Sequence, residues 1–462
     1  MKTKQNRNSK REFRNPKTLL WLLAVVVLGI ILQSQEALTH QRTGEITLNG
    51  RLNTTCIPHS GGTVYLQMEI ITPASTKRSE RRPMNIAVVL DRSGSMADER
   101  KIDYAKQAVF SLIDRLSSDD YLSIVIYDDQ IDVLLPTQRV RDKQRIKRMI
   151  REVYPRGSTN LGGGMMEGFR QVERNLNREF VNRVILLSDG LANQGITDPH
   201  ELNRIAQLYR NKSISLSTMG VGLDYNENLM LGLAEHGGGN YYFIESPRQL
   251  ALIFKKELHG LVSIVAQNAR IELTLGKGVT LNDVIGCEWN RDGNKWIIPV
   301  GDLYSNESRE FTVELSIPEG SGTKRVASGV LRYDGDKGWF GRHPSFSVDI
   351  HYTDDVAELD KGKDWDTQAK VDVALSTRQV ARAIQFYESG NREDAEKELN
   401  EAKLFLQSSP ALSNSAQMAP MIQEQIMQLE GYADSVKDES ADARKVKKSL
   451  QYGNYKTQKK KN

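Results

Sequence analysis

Four nearly continuous apolar runs alternate with segments of helical periodicity, and this alternation constrains the fold more than any other feature. Strands that are covered on both faces have this composition. The segments between the runs repeat apolar residues at the spacing of amphipathic helices. The alternation predicts an α/β domain with a doubly wound, mostly parallel sheet, which we place at residues 83–262. The four runs are NIAVVLD (85–91), YLSIVIYD (121–128), NRVILLSDG (182–190) and SISLSTMGVG (213–222).

Segments with a different pattern of apolar and polar residues flank this domain. Residues 44–82 and 263–355 alternate apolar and polar residues, as half-buried antiparallel strands do. They predict one antiparallel β domain into which the α/β domain is inserted. Cys56 and Cys287 are the two cysteines of the chain, and both fall in these segments. An even number of cysteines in an exported protein predicts a disulfide between them.

The rest of the chain is helical and charged. Residues 366–436 contain YESGNREDAEKELNEAKLFL, in which Gly390 separates two helical patterns. This segment weakly resembles a tetratricopeptide repeat, but we favour a helical hairpin that packs on the β domain or on a partner. Residues 437–462 form a basic tail that we predict to be disordered.

The amino-terminal segment predicts export. Residues 1–18 contribute +6 to the net charge, and the uncharged run TLLWLLAVVVLGIIL (18–32) follows. We interpret residues 1–35 as a basic leader and a transmembrane anchor, with a cleaved signal peptide as the alternative. The chain is then a single-pass membrane protein with a cytoplasmic amino terminus and a periplasmic or extracellular bulk. The net charge of the whole chain is +4, so the residues after 18 carry a net charge of −2. This excludes a nucleic-acid partner, which needs a basic face on the folded part.

Hydroxyl and carboxylate side chains follow two of the predicted strands. Asp91 ends the first strand, and Ser93 and Ser95 lie in the loop that follows. Asp189 lies near the end of the run NRVILLSDG, which we number as the fourth strand of the sheet, and Thr159 precedes the helix that leads to it. If the strand order is 3-2-1-4-5-6, the first and fourth strands are neighbours where the order reverses. Ligands bind at this position in open α/β sheets.

Two carboxylates and three hydroxyls predict a site for a hard cation. Such oxygen ligands suit Mg²⁺, with Mn²⁺ as an alternative. The two aspartates balance a divalent charge, and the neutral hydroxyls leave the ion able to attract a carboxylate from outside. Each loop by itself is also compatible with a simple turn or a helix cap. Three such loops at one sheet edge favour the metal site.

DRSGSM, GSTNLGGGM and LLSDGLAN together resemble the metal-ion-dependent adhesion site of von Willebrand factor type A domains. The resemblance covers about residues 83–258, and the five positions above match the family's metal ligands. The flanking strands resemble bacterial exported members and the heavy chains of inter-α-trypsin inhibitor. The resemblance implies a magnesium-dependent protein-binding module with a Rossmann-like sheet. A partner's Asp or Glu would then complete the metal shell.

Two other function classes remain as alternatives. In one, the chain is a structural scaffold or a regulatory subunit of a membrane complex, and its metal only holds the loops together. In the other, it is a hydrolase. The sequence contains no zinc-protease spacing and no G-x-S-x-G motif, and its seven histidines are scattered. We therefore predict that the protein is not an enzyme.

Overall fold

The computed structural model describes residues 45–74, 81–334 and 343–459. Its strands are β1 (Thr47–Leu52), β2 (Cys56–Ile57), β3 (Gly62–Ile71), β4 (Met84–Asp91), β5 (Tyr121–Tyr127), β6 (Ile131–Arg139), β7 (Val181–Ser188), β8 (Ser215–Val221), β9 (Gly238–Ile244), β10 (Ile264–Leu275), β11 (Thr280–Val284), β12 (Asn290–Asp292), β13 (Lys295–Tyr304), β14 (Ser308–Ile317), β15 (Gly322–Asp334) and β16 (Ser345–Tyr352). The helices of the α/β part are α1 (Lys101–Arg115), α2 (Lys143–Arg151), α3 (Leu161–Glu173), α4 (Pro199–Asn211), α5 (Glu227–Gly237) and α6 (Leu250–Val262).

The α/β part is built on one six-stranded sheet with the order β6-β5-β4-β7-β8-β9. Only β6 runs antiparallel to its neighbour. Every residue of β4 and β7 is buried, because α1, α2 and α6 cover one face of the sheet and α3, α4 and α5 cover the other. The strand order reverses between β4 and β7, so the predicted order and switch point are confirmed.

The β part is a sandwich of two sheets whose strands come from both sides of the α/β part in sequence. One sheet has the order β1-β3-β14-β11 and the other β12-β13-β10-β15-β16-β2. Side chains such as Leu66 and Met68 from the first sheet and Ile271 and Leu331 from the second form a common core. The α/β part therefore lies between two halves of this sandwich along the chain, which confirms the predicted fold class.

The carboxyl-terminal helices form a third cluster with its own apolar core. They are α7 (Val356–Lys361), α8 (Trp365–Glu388), α9 (Arg392–Gln407), α10 (Pro410–Asn414), α11 (Ala419–Lys437) and α12 (Ala443–Lys459). The predicted disorder of residues 437–462 is wrong, because α12 occupies most of that segment. Its lysines conceal an apolar face: Val446 and Leu450 are buried among the helices, and Tyr455 is buried against the α/β part.

The predicted disulfide is also wrong, because Cys56 and Cys287 are both free thiols. Cys56 lies in β2, at one edge of the six-stranded sheet of the sandwich, and Cys287 shortly precedes β12, at the opposite edge. The strands β2 and β12 are themselves separated by five strand spacings of about 4.8 Å each, roughly 24 Å. A disulfide tolerates a Cα separation of only about 7 Å.

The prediction of a single-pass membrane protein is contradicted. Within residues 45–74, 81–334 and 343–459, no helix combines the length and the apolar character needed to cross a bilayer. The leader and the run at residues 18–32, on which the prediction depended, lie outside the described residues.

Candidate functional site

The loop after β4 contacts the loop after β7 through hydroxyl and carboxylate oxygens. Asp91 is the last residue of β4, and its Oδ1 accepts a hydrogen bond of 2.8 Å from the Ser93 amide. The hydroxyls of Ser93 and Ser95 are 3.2 Å apart. The Ser95 hydroxyl donates to Oδ1 of Asp189 over 2.8 Å. These hydrogen bonds connect four of the five predicted residues at the switch point.

Thr159 brings in the third loop, which precedes α3. A Cβ atom placed on Gly190 would lie 3.3 Å from the Thr159 hydroxyl and 3.6 Å from the Ser95 hydroxyl, so the three loops meet around this glycine. The Thr159 amide donates to Oδ1 of Asn193 over 2.9 Å, and the Asn193 amide donates back to the Thr159 carbonyl over 3.1 Å. The structure therefore brings all five predicted residues to one edge of the sheet.

The Asp91 carboxylate is fully buried and is held by hydroxyl donors. Its Oδ2 accepts hydrogen bonds from the Ser188 hydroxyl at 2.7 Å and from the Tyr127 hydroxyl at 3.2 Å. Burial raises the pKa of Asp91 to about 6, although the hydrogen bonds from Ser188 and Ser93 act in the opposite direction. A buried carboxylate in this position is costly unless a positive charge lies close to it. The donor set, which contains only oxygen, therefore fits a hard divalent cation.

Lys101 is a functional candidate that the sequence analysis missed. It is the first residue of α1, and its ammonium group donates to Oδ2 of Asp189 over 2.7 Å. The side chains of Lys101 and Asp189 are 4% and 0% exposed, so this is a buried ion pair. A lysine at a helix start resembles a solvated residue in sequence, and no spacing signal marks it. The expectation that two aspartates alone set the charge of the site is therefore incomplete.

A second group of charges fixes the loops without adding net charge. Arg92 Nε lies 2.9 Å and Arg156 Nε 2.7 Å from the same Asp128 Oδ2, and Arg92 also pairs with Asp132. The Arg156 amide donates to the Arg92 carbonyl over 2.7 Å, which joins the loop after β4 to the loop before α3. Two arginines and two aspartates cancel, so this group holds the ligand loops in place and leaves the charge of the site unchanged.

No cluster of three or more His, Cys, Asp or Glu side chains suited to a metal ion occurs in the parts of the chain that the structure describes. A zinc site of the histidine or cysteine type is therefore not found among those residues. The set of two carboxylates and three hydroxyls is the candidate metal centre that remains.

Comparison with known proteins agrees with this architecture. The sequence profile of the von Willebrand factor type A domain matches residues 85–256. The chain is 29% identical over 263 residues to the protein YfbK of Escherichia coli strain K12, which covers 54% of this chain and 45% of YfbK. It is 24% identical over 208 residues to the human inter-alpha-trypsin inhibitor heavy chain H3, which covers 42% of this chain and 23% of that protein.

A solved structure extends the similarity to nearly the whole chain. The von Willebrand factor type A protein from Catenulispora acidiphila matches with a TM-score of 0.70 at 16% identity, covering 90% of this chain and 98% of that one. At this identity the match shows the fold alone. The two relatives above are each matched over less than half of their own length. From the profile match, the strand order and the position of the switch point together, residues 85–256 of this chain are a von Willebrand factor type A domain.

Proposed function

We propose that the protein binds another protein through a divalent metal ion held at the edge of its von Willebrand factor type A domain. The observation that carries the proposal is the convergence of five oxygen-bearing side chains from three loops at the switch point. Domains of this family commonly mediate metal-dependent protein interactions. The proposed ligands are Asp91, Ser93, Ser95, Thr159 and Asp189.

The side chains divide into two roles. The hydroxyls of Ser93, Ser95 and Thr159 offer neutral oxygens, whereas Asp91 and Asp189 supply negative charge. When bound, the ion supplies an electrophilic centre that a carboxylate from outside can complete. We propose Mg²⁺, with Mn²⁺ as an alternative, and a partner that offers an Asp or Glu side chain. Asp128, which pairs with both Arg92 and Arg156, keeps the loops in position before the partner binds.

The purely structural metal is the main alternative, because it uses the same five residues. In that case the ion holds the three loops together, and the chain acts as a scaffold or regulatory subunit whose partner does not touch the ion. A hydrolase is less well supported. The Ser93 and Ser95 hydroxyls bond to each other, and the Ser95 hydroxyl donates to Asp189. No hydrogen bond joins either serine to a histidine in the described residues.

Metal binding tests the site itself. Isothermal titration of the purified protein with Mg²⁺ and Mn²⁺ should show one site. Asp91→Ala should weaken it by on the order of 100-fold or more, because half of the carboxylate charge is lost. Asp119→Ala is the matched control, since Asp119 is exposed and makes only a 3.4 Å contact with Arg139. Equal metal affinity in Asp91→Ala and wild type would refute the assignment.

Partner binding separates adhesion from a structural metal. Immobilised wild-type protein should retain a partner from cell extract in Mg²⁺ and release it in chelator, and millimolar acetate should compete with that partner. Asp91→Ala should retain nothing, while its circular dichroism spectrum stays close to that of the wild type. A partner that stays bound in chelator, or that acetate does not displace, would favour the structural alternative.

A further inference from the structure

We propose that Lys101 makes the metal-loaded site selective for an anionic ligand, by lowering the affinity of the site for the cation and raising the affinity of the loaded site for a carboxylate. The inference rests on the metal-dependent function proposed above. It assigns a specificity-determining role to a residue outside the five proposed ligands.

The first step is the position of the ammonium group. Lys101 is buried, and its Nζ donates to Oδ2 of Asp189 while the Ser95 hydroxyl donates to Oδ1 of the same carboxylate. The preceding residues Glu99 and Arg100 both have left-handed backbone conformations, with φ of 49° and 59°. Residues other than glycine rarely adopt this conformation. Two in succession turn the chain so that Lys101 enters the site and α1 begins there.

The second step is the charge of the site. Asp91 and Asp189 contribute −2 and Lys101 contributes +1, while the neighbouring arginine and aspartate pairs cancel. The protein groups at the site therefore sum to −1. With a divalent cation the sum becomes +1, in a place where two of the three side chains are fully buried. A carboxylate from a partner would bring the sum to zero.

The third step is the direction of each effect. A positive charge beside Asp189 opposes the binding of a cation to the same carboxylate, and it attracts an anion once the cation is bound. A unit positive charge about 6 Å from a carboxylate, at an effective dielectric constant of about 20, changes a binding constant by on the order of 100-fold, and the same charge has a larger effect on a divalent cation. Solvent and salt reduce this, so we expect about tenfold in each direction.

A purely structural role for Lys101 predicts the opposite change in metal affinity when the lysine is removed. If its ammonium only positioned Asp189, its removal would disorder a ligand and weaken both metal and carboxylate binding. The charge effect instead strengthens metal binding and weakens carboxylate binding. Lys101→Met keeps the length and apolar stem of the side chain and removes the charge, whereas Lys101→Arg retains the charge.

The experiment measures both affinities on the full chain. Mn²⁺ is titrated by isothermal calorimetry, and acetate is then titrated into the Mn²⁺-loaded protein while the relaxation rate of water protons is followed. Lys101→Met should bind Mn²⁺ about tenfold more tightly and acetate about tenfold more weakly than the wild type. Lys101→Arg should stay closer to the wild type in both. Lys106→Met is the control, because Lys106 is on the same helix and its ammonium donates to the Arg151 carbonyl.

The outcomes separate this inference from the proposed function. Wild-type protein that binds no Mn²⁺ would refute the proposed function itself. Wild-type protein that binds Mn²⁺ and acetate, with Lys101→Met unchanged or weakened in both, would overturn the role of Lys101 alone. Chelator-treated Lys101→Met and wild type should have similar circular dichroism spectra. If Lys101→Met has lost its folded spectrum, the same two affinities are measured on Lys101→Gln.

Discussion

Arg183 is expected to hold the α/β part and the β part together, and its replacement by Met tests this. Arg183 lies near the start of β7, is fully buried, and donates through Nη2 to Asp302 Oδ2 on β13 over 2.6 Å. Its Nη1 donates to the Ser217 hydroxyl over 3.0 Å and lies 3.9 Å from a Glu257 oxygen on α6. Burial lowers the pKa of Arg183, but the neighbouring Tyr304, Asp302 and Glu257 outweigh this effect and raise the pKa above its usual value.

The magnitude follows from the groups that the guanidinium leaves behind. Arg183→Met removes the guanidinium group that lies within 4 Å of both Asp302 and Glu257. Removing one partner of a buried ion pair lowers stability by about 3–5 kcal/mol. We therefore expect a loss of about 4 kcal/mol in the free energy of unfolding. Arg183→Lys should lose less, because the charge remains although the second hydrogen bond is lost.

Urea unfolding followed by circular dichroism and tryptophan fluorescence measures this loss. Asp302→Asn and the double variant complete a thermodynamic cycle, in which the double variant should be more stable than the sum of the single losses implies. Separate transitions for the two probes would show that the α/β and β parts had become uncoupled. A loss below about 1 kcal/mol for Arg183→Met, or an additive cycle, would refute the assignment of Arg183 as a charged link between the two parts.

Three further outcomes are expected. Thr159→Ala should weaken Mg²⁺ binding in calorimetry by about tenfold and less than Asp91→Ala, because water can replace a neutral ligand; an equal loss would contradict this. Gly164→Ala should lower the melting temperature, since a Cβ there would lie 2.7 Å from the Tyr127 ring. Gly431→Ala is its control: it has open space around it and should gain about 1 kcal/mol in helix propensity. Burial raises the pKa of Asp372 despite opposing hydrogen bonds from Ser409 and Gln368. A raised carboxyl pKa gives stability that is present below the unfolded value of about 3.9 and is lost as the pH rises through the folded value. Asp372→Asn should therefore raise the melting temperature at pH 8 but not at pH 4, and a gain independent of pH would argue against the charge as its cause.

The strand order and the convergence of the loops could be predicted because they depend on local patterns. Buried parallel strands such as β4 and β7 are nearly continuous apolar runs. Asp91 ends β4 and Asp189 directly follows β7, so the topology places both aspartates at the switch point. The DRSGS and SDG stretches could therefore be assigned to one edge before any contact was known.

The residues that were missed depend on tertiary contacts that leave no periodic signal. Lys101 becomes a buried charge only because the loop before it turns inward towards Asp189. Tyr127 and Ser188 hold Asp91 from strand ends that in sequence look like ordinary core positions. The tail was misjudged for a related reason: Lys448 is buried in an ion pair with Glu227, a contact that its sequence neighbours do not reveal.

The insertion of the α/β part determines how the protein would carry a mechanical load. The chain enters this part at the amino-terminal end of β4, and α6 returns it to β10 near the same end of the sheet, opposite the carboxyl ends where Asp91 and Asp189 lie. A pull exerted by a bound partner would therefore run along β4 and β7 towards the sandwich. β4 is hydrogen-bonded to β5 and β7 along its whole length, so tension in this direction shears many bonds at once instead of peeling them one by one.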